Sequence, residues 1–121
     1  GLFSLEELHL DNNLLEYFDS YAFDGLYKLK LISLAFNRIK FFSNIILKYL
    51  VNLRDFTIGT NAVQKLYEFS FLFNNYTYII DFSNNNLENF DSFLFNGIEN
   101  SLETLILTNN MIKNLKKYYF I

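Results

Sequence analysis

The sequence contains no cysteine, no proline and only four glycines in 121 residues. Without cysteine, neither a disulfide framework nor a thiolate metal site can form, and the usual sign of an oxidising compartment is missing. The scarcity of proline and glycine removes the usual markers of loops. Charge of one sign is also scarce, because the formal net charge is only −3, and this gives no reason to expect nucleic acid or an acidic membrane surface as a partner.

Long apolar runs are absent too. The longest are interrupted by Lys48, Asn52 or Asp81 well short of the length needed to cross a membrane, so no membrane insertion is predicted for this segment. The chain nevertheless has 51% hydrophobic and only 19% charged residues, which is typical of a folded domain and not of a disordered tail. Its length fits one domain.

An internal periodicity organises the whole chain. Leu5, Leu29 and Leu53 lie 24 residues apart, and the same step leads to Thr77 and then, after one extra residue, to Leu102. Counted from these starts, positions four, six and eleven are apolar in every unit, and positions fourteen and nineteen are Phe or Leu. The predicted units are a partial repeat at residues 1–4, repeats at 5–28, 29–52, 53–76 and 77–101, and a truncated repeat at 102–121.

The spacing within a unit predicts a short strand. Positions four and six lie two residues apart, so a strand can point both into a core while positions three, five and seven face out. A unit of this length cannot bury its apolar side alone, whereas stacked units share one core and pair their strands in parallel. Positions two, three, five, seven and eight then form an outward surface on a curved sheet, which we call the concave face.

Position nine is occupied by asparagine in all five units, as Asn13, Asn37, Asn61, Asn85 and Asn110. At this position the chain turns away from its strand and leaves backbone donors and acceptors unpaired inside the coil. A carboxamide both donates and accepts, so it can bond the backbone of its own and neighbouring coils. In the run 84–86 the pattern therefore selects Asn85 as the structural residue and predicts that Asn84 and Asn86 point outward.

The pattern L-x-x-L-x-L-x-x-N-x-L, followed by a back-side Phe, resembles the leucine-rich repeat family over essentially the whole chain. The period and the segment FDGLYKL are similar to the typical 24-residue subclass of Toll-like receptors, Slit-like proteins and small leucine-rich proteoglycans. The resemblance implies an α/β horseshoe-type solenoid, a right-handed superhelix with a parallel β-sheet on the concave face and mostly loop or short 3-10 segments on the convex face. It also implies an extracellular or cell-surface protein that binds a protein ligand or co-receptor, with no cofactor and no catalytic residues.

The chain departs from this pattern in two ways. Thr77 replaces the first leucine of the fourth unit, and Asn74 stands where other units have Leu or Ile, so a distorted coil is expected there. The family's cysteine-rich terminal caps are missing, and both ends interrupt a repeat. The chain is therefore expected to be a piece of a longer array, with the flanking repeats of the parent chain as its immediate partners.

Several apolar residues fall on the predicted concave face. Apolar clusters with polar rims often mark partner sites, although a Phe- and Ile-rich chain also scatters such residues neutrally. The candidate partner-binding residues are Glu7, His9, Asp11, Leu31, Ser33, Phe36, Asp55, Thr57, Tyr78, Ile79, Asp81, Thr104 and Ile106.

Two smaller motifs have competing interpretations. His9 between Glu7 and Asp11 suggests a metal or acid–base site, but the chain has no second histidine and a solvated polar rim explains the group better, so no metal site is predicted. The sequence N-Y-T at 75–77 is an N-glycosylation sequon on Asn75, which is used only if the protein is secreted and is accidental otherwise.

The sequence therefore favours a protein-binding segment of a secreted or cell-surface recognition protein that contacts its ligand through the concave face. An intracellular leucine-rich repeat scaffold and a structural spacer are the alternatives, since the lack of cysteine suits them equally. An enzyme is disfavoured, because the sequence shows no nucleophile–base pair, phosphate loop or paired metal ligands.

Overall fold

The computed structural model describes residues 1–117 and 119–120. Tyr118 and Ile121, both in the predicted truncated repeat, lie outside the described residues. The described chain forms one sheet of five short parallel strands in the order of the sequence. The strands are β1 (Glu7–His9), β2 (Leu31–Ser33), β3 (Asp55–Thr57), β4 (Ile79–Asp81) and β5 (Thr104–Ile106).

Each strand covers positions three to five of a predicted unit. Successive strands begin 24 residues apart, except that β5 begins 25 residues after β4, as the one inserted residue requires. The pairing keeps equivalent positions opposite one another throughout, for example Leu8 with Ile32 and Phe56 with Ile80. This parallel solenoid confirms the predicted fold class, while the boundaries of the individual repeats remain a prediction.

The core lies behind the sheet and is filled by the predicted inward positions. The central residues of the inner strands, Ile32, Phe56 and Ile80, are fully buried. Four phenylalanines, Phe42, Phe56, Phe71 and Phe82, pack together with ring centroids 5.3–6.4 Å apart. These rings come from consecutive coils, so a contact made by one coil also holds its neighbour.

The convex side consists of hydrogen-bonded turns and loops, with no helix of any kind in residues 1–117 and 119–120. One turn type recurs there, as in the bonds from the amide of Leu26 to the carbonyl of Phe23 and from Leu50 to Leu47. Nothing in the described part of the chain is a helix long and apolar enough to cross a membrane.

The expected distortion near Thr77 does not occur in the sheet, since β3 and β4 pair in the same register as the other strands. Both polar replacements are buried and bonded to the coil before them. The Thr77 hydroxyl donates to the carbonyl of Leu53 at 2.9 Å, and the Asn74 amide donates to the carbonyls of Leu47 at 3.1 Å and Leu50 at 2.8 Å. These hydrogen bonds let polar side chains occupy leucine positions without displacing the strand.

The last described coil differs from the pattern by one residue. Position nineteen of this unit is Phe120, yet its side chain is 61% exposed, whereas Tyr119 is only 3% exposed. The Tyr119 ring packs on Phe90 with centroids 4.2 Å apart and so takes the place predicted for the back-side phenylalanine.

Candidate functional site

The turn after each strand is held by the asparagine at position nine. Asn85 is buried, and its amide nitrogen donates to the carbonyls of Ile58, Phe82 and Ser83, each at 3.1 Å. Its carbonyl oxygen accepts the amide of Val63 from the preceding coil at 3.0 Å. One side chain therefore joins the backbone of two coils and fixes where the chain leaves the sheet.

The same contacts recur at Asn37, Asn61 and Asn110. Their amide oxygens accept the backbone amides of Leu15, Ile39 and Leu87 at 2.9–3.0 Å. Asn13 in the first coil is more exposed and donates only to its own turn, at the carbonyls of Leu10 and Asp11.

Position eight, immediately before this asparagine, has a left-handed backbone in every unit. The φ angles there are +57° at Asn12, +56° at Phe36, +53° at Thr60, +52° at Asn84 and +56° at Asn109. Asparagine tolerates this conformation, whereas a bulky or β-branched side chain is strained in it. Sequence reasoning missed this constraint, although asparagine in three of the five units was a usable signal.

Phe36 combines this strained backbone with an exposed ring. Its side chain is 57% exposed on the concave face, and among the described residues no aromatic ring packs on it. Phe69 on the convex side also has a left-handed backbone, but its ring stacks on that of Phe93 at 5.7 Å. Phe36 is therefore the strained aromatic residue on the concave face that has no aromatic partner within the described chain.

The register of the strands sets the rows of side chains on this face. Position three gives the row Glu7, Leu31, Asp55, Ile79, Thr104, and position five gives His9, Ser33, Thr57, Asp81, Ile106. Carboxylates and apolar side chains therefore alternate along the first row. Leu31, Tyr78, Ile79 and Ile106 are half-buried on this face.

Several carboxylates on the face are fixed by hydrogen bonds. Asp11 accepts the hydroxyl of Ser33 and, at 3.0 Å, the amide of Ala35 from the next coil. Asp81 accepts the amide of Ser83 at 2.8 Å. Their carboxylates are thus held in fixed orientations on this face.

Asp55 lies in the middle of the sheet and is only partly satisfied. Its Oδ2 accepts the hydroxyl of Tyr78 at 3.5 Å, while its Oδ1 is buried and has no hydrogen-bond partner in the described structure. An unpartnered carboxylate oxygen in a partly buried position is unfavourable, and a nearby positive charge would reduce this cost.

The grouping around His9 is an exposed rim. His9 Nε2 lies 3.4 Å from Glu7 Oε2, and His9 Nδ1 lies 4.0 Å from Asp11 Oδ2. Within residues 1–117 and 119–120, no three His, Cys, Asp or Glu side chains are grouped so that they could hold a metal ion. Beside this rim, the Lys30 ammonium donates to Glu6 at 2.7 Å and holds the pKa of that exposed carboxyl below its usual value.

Asn75 lies exposed in the turn before β4. The threonine of its sequon, Thr77, is fully buried and its hydroxyl is bonded to Leu53. The asparagine that would carry a glycan is therefore accessible in the folded chain, while the threonine that completes the sequon is not.

These features define a class of protein: a solenoid of stacked coils with a parallel sheet on one side and an asparagine ladder behind its turns. A family profile described as "Leucine rich repeat" matches residues 3–63, half of the chain. The chain belongs to the leucine-rich repeat family.

Solved structures of similar shape include a bacterial and a receptor protein. An internalin from Listeria monocytogenes is 25% identical with a TM-score of 0.74, and the match covers 93% of this chain and 31% of the internalin. TLR13, solved in complex with ssRNA13, is 22% identical with a TM-score of 0.69, and the match covers 98% of this chain and 20% of TLR13. The chain thus spans less than a third of either protein. No curated protein sequence matches it.

Proposed function

We propose that this chain is a protein-binding segment of a secreted or cell-surface recognition protein, and that it contacts its ligand through the concave face. Membership of the leucine-rich repeat family supports protein binding in general. The likeness to an internalin and to TLR13 supports a surface or receptor role. Glycosylation of Asn75 and a protein ligand or co-receptor as partner belong to this proposal.

Phe36 is the observation that carries the proposal. A phenylalanine in a left-handed backbone costs roughly 1–2 kcal/mol relative to a residue that tolerates it, and a ring that is 57% exposed recovers only part of this through burial. Asn12, Asn84 and Asn109 show that this chain uses asparagine at the equivalent position. Strain kept at an exposed aromatic is typical of a site selected for binding instead of stability.

The size of the face limits what it can do alone. Five strands about 4.8 Å apart span roughly 20 Å, and strands of three residues make a strip of a few hundred Å². A standard interface buries about 800 Å² on each partner. The segment therefore supplies part of a binding surface that flanking repeats of the parent chain extend.

The test compares two substitutions at position eight. A panel of secreted and cell-surface ectodomains is screened against the immobilised chain, and the ectodomain that binds is titrated against Phe36→Asn and Thr60→Asn. Phe36→Asn should weaken binding by about tenfold or more, as loss of an aromatic anchor does. Thr60→Asn makes the same change to the backbone preference but removes no ring, so it should weaken binding far less than Phe36→Asn does.

Equal affinity of the wild type and Phe36→Asn would contradict the proposal that the ligand contacts the concave face through Phe36. Loss of binding in both variants would point to the turn and not to the exposed ring. Unfolding curves recorded for each variant ensure that affinities are compared between folded proteins.

A further inference from the structure

The net negative charge of the chain lies on the concave face. Positions two, three, five, seven and eight of the five units carry six carboxylates and two basic side chains, which gives a formal charge of −4 with His9 neutral. The whole chain has a charge of −3, so the remaining surface carries a net +1. The carboxylates of the face are Glu6, Glu7, Asp11, Asp55, Asp81 and Glu103.

Of the lysine and arginine side chains on the face, only Lys30 is bonded to a carboxylate there. Lys30 pairs with Glu6 at 2.7 Å, while Asp11 and Asp81 are bonded to hydroxyl or amide groups. Asp55 keeps an unpartnered Oδ1 in the middle of the sheet. The face therefore has negative potential that the chain itself does not neutralise.

The carboxylates in the first row, which is the row at position three, are regularly spaced. Glu7 and Asp55 are separated by Leu31, and Asp55 is followed by Ile79. Neighbouring strands lie about 4.8 Å apart, so the two carboxylates are spaced by about 10 Å with an apolar side chain midway. Acidic residues alone would suit any cation, but the apolar residues between them suit a protein segment.

A helix that crosses the strands matches this spacing. Its residues i and i+7 lie two turns and about 10.5 Å apart, with i+3 or i+4 between them on the same side. Side chains on one face of an extended strand recur about every 6.8 Å and do not match a 10 Å interval. Beside the first row, positions five and seven of the second and third units carry only small residues, which leave room for such a helix, and they are Ser33, Ala35, Thr57 and Gly59.

We propose that the ligand segment bound by the concave face is a basic amphipathic helix, with Lys or Arg at i and i+7 opposite Glu7 and Asp55 and apolar residues opposite Leu31 and Ile79. This inference rests on the proposed function, because it names the chemistry of the partner for the same face. The charge complementarity steers association and makes it sensitive to salt.

The test uses a helical peptide of about 15 residues with Lys at i and i+7 and Leu at i+4 and i+11. A second peptide has the same composition but carries its two Lys at i+2 and i+9, on the opposite side of the helix from the Leu residues. Binding to the chain is measured by fluorescence anisotropy at low and high salt. The first peptide should bind several-fold more tightly than the second, and its affinity should fall as salt rises.

Two double variants test which carboxylates of the chain the first peptide contacts. Glu7→Gln with Asp55→Asn should weaken binding of the first peptide by roughly threefold to tenfold, as loss of one exposed ion pair at Glu7 and one half-buried ion pair at Asp55 does. Glu16→Gln with Glu88→Gln removes two exposed carboxylates outside the concave face and should leave the affinity unchanged. Equal loss in both pairs, or equal binding of the two peptides, would overturn the proposed charge pattern.

The peptide experiment and the ectodomain experiment can fail independently of each other. If neither peptide binds while Phe36→Asn still weakens the ectodomain complex, the concave face is the binding site but its partner is not a basic helix. If the ectodomain binds Phe36→Asn as it binds the wild type, the proposed use of the face fails by itself.

Discussion

At the scale of single residues, three adjacent asparagines meet three different environments. Asn85 is buried and bonded to two coils, Asn84 has a left-handed backbone, and Asn86 is exposed. The repeat pattern placed Asn85 inside and its neighbours outside. It gave no information about the φ angle of Asn84, since a hydrophobic period reports burial and not backbone conformation.

Asn85→Ala should lower the free energy of unfolding by about 2–3 kcal/mol. In this variant the carbonyls of Ile58 and Phe82 still accept hydrogen bonds from the side-chain amides of Asn61 and Asn110. The cost arises because the Val63 amide loses its acceptor and because the missing side chain leaves a cavity. Asn84→Ala should cost about 1 kcal/mol through its backbone, and Asn86→Ala less than about 0.5 kcal/mol. Urea unfolding of the three variants checks this order, and a costly Asn86→Ala would contradict the assigned register.

The strain at position eight predicts a gain in stability. Phe36→Asn and Thr60→Asn should each raise the free energy of unfolding by about 1 kcal/mol, because asparagine tolerates the left-handed backbone better than either residue. Ala35→Asn, one residue before the left-handed position, is the control and should bring no gain. Thermal unfolding of the three variants decides, and a loss of stability in both position-eight variants would show that the native side chains make contacts that outweigh the strain.

At the scale of elements, the strands were predictable and the polar substitutions in one coil were not. A period of two within a period of 24 identifies which residue of each strand is buried, and β1 to β5 follow that pattern. Thr77 and Asn74 break the apolar pattern, and sequence alone favoured a distorted coil. Their hydrogen bonds to Leu53, Leu47 and Leu50 depend on the geometry of the neighbouring coil, which a linear pattern does not contain.

Thr77→Val should destabilise the chain by about 1–2 kcal/mol. It keeps the shape of the side chain but removes the hydroxyl that donates a hydrogen bond to the Leu53 carbonyl. Thr77→Ser keeps the hydroxyl and should cost less. Asn75→Gln also removes the sequon but touches no buried group, so it separates loss of a glycan from loss of the hydrogen bond. Urea unfolding of protein made without glycosylation measures the effect, and equal stability of Thr77→Val and the wild type would exclude a role for this bond.

At the scale of the whole molecule, the repeat was sufficient to predict the fold and insufficient to predict the binding chemistry. Five units that agree at six positions leave few arrangements other than a stacked solenoid. The candidate face followed from the same count. The alternation of carboxylates with apolar residues across strands follows from the pairing register, and the strain at Phe36 from its φ angle. The alternation can also be read from the repeat count, whereas the φ angle and the exposure of Phe36 needed three-dimensional coordinates.

The most direct test compares two surfaces of the chain for binding to the ectodomain that the screen selects. Phe36, Tyr78 and Ile79 on the concave face are changed together to Ser in one variant, and the exposed Tyr21, Phe41 and Phe93, which lie outside that face, are changed together to Ser in the other. Unfolding curves show that each variant is folded, and surface plasmon resonance gives the affinity. The proposed function predicts that the first variant loses binding and the second keeps it. Retained binding in the first variant together with loss in the second would contradict the central claim that the concave face holds the partner.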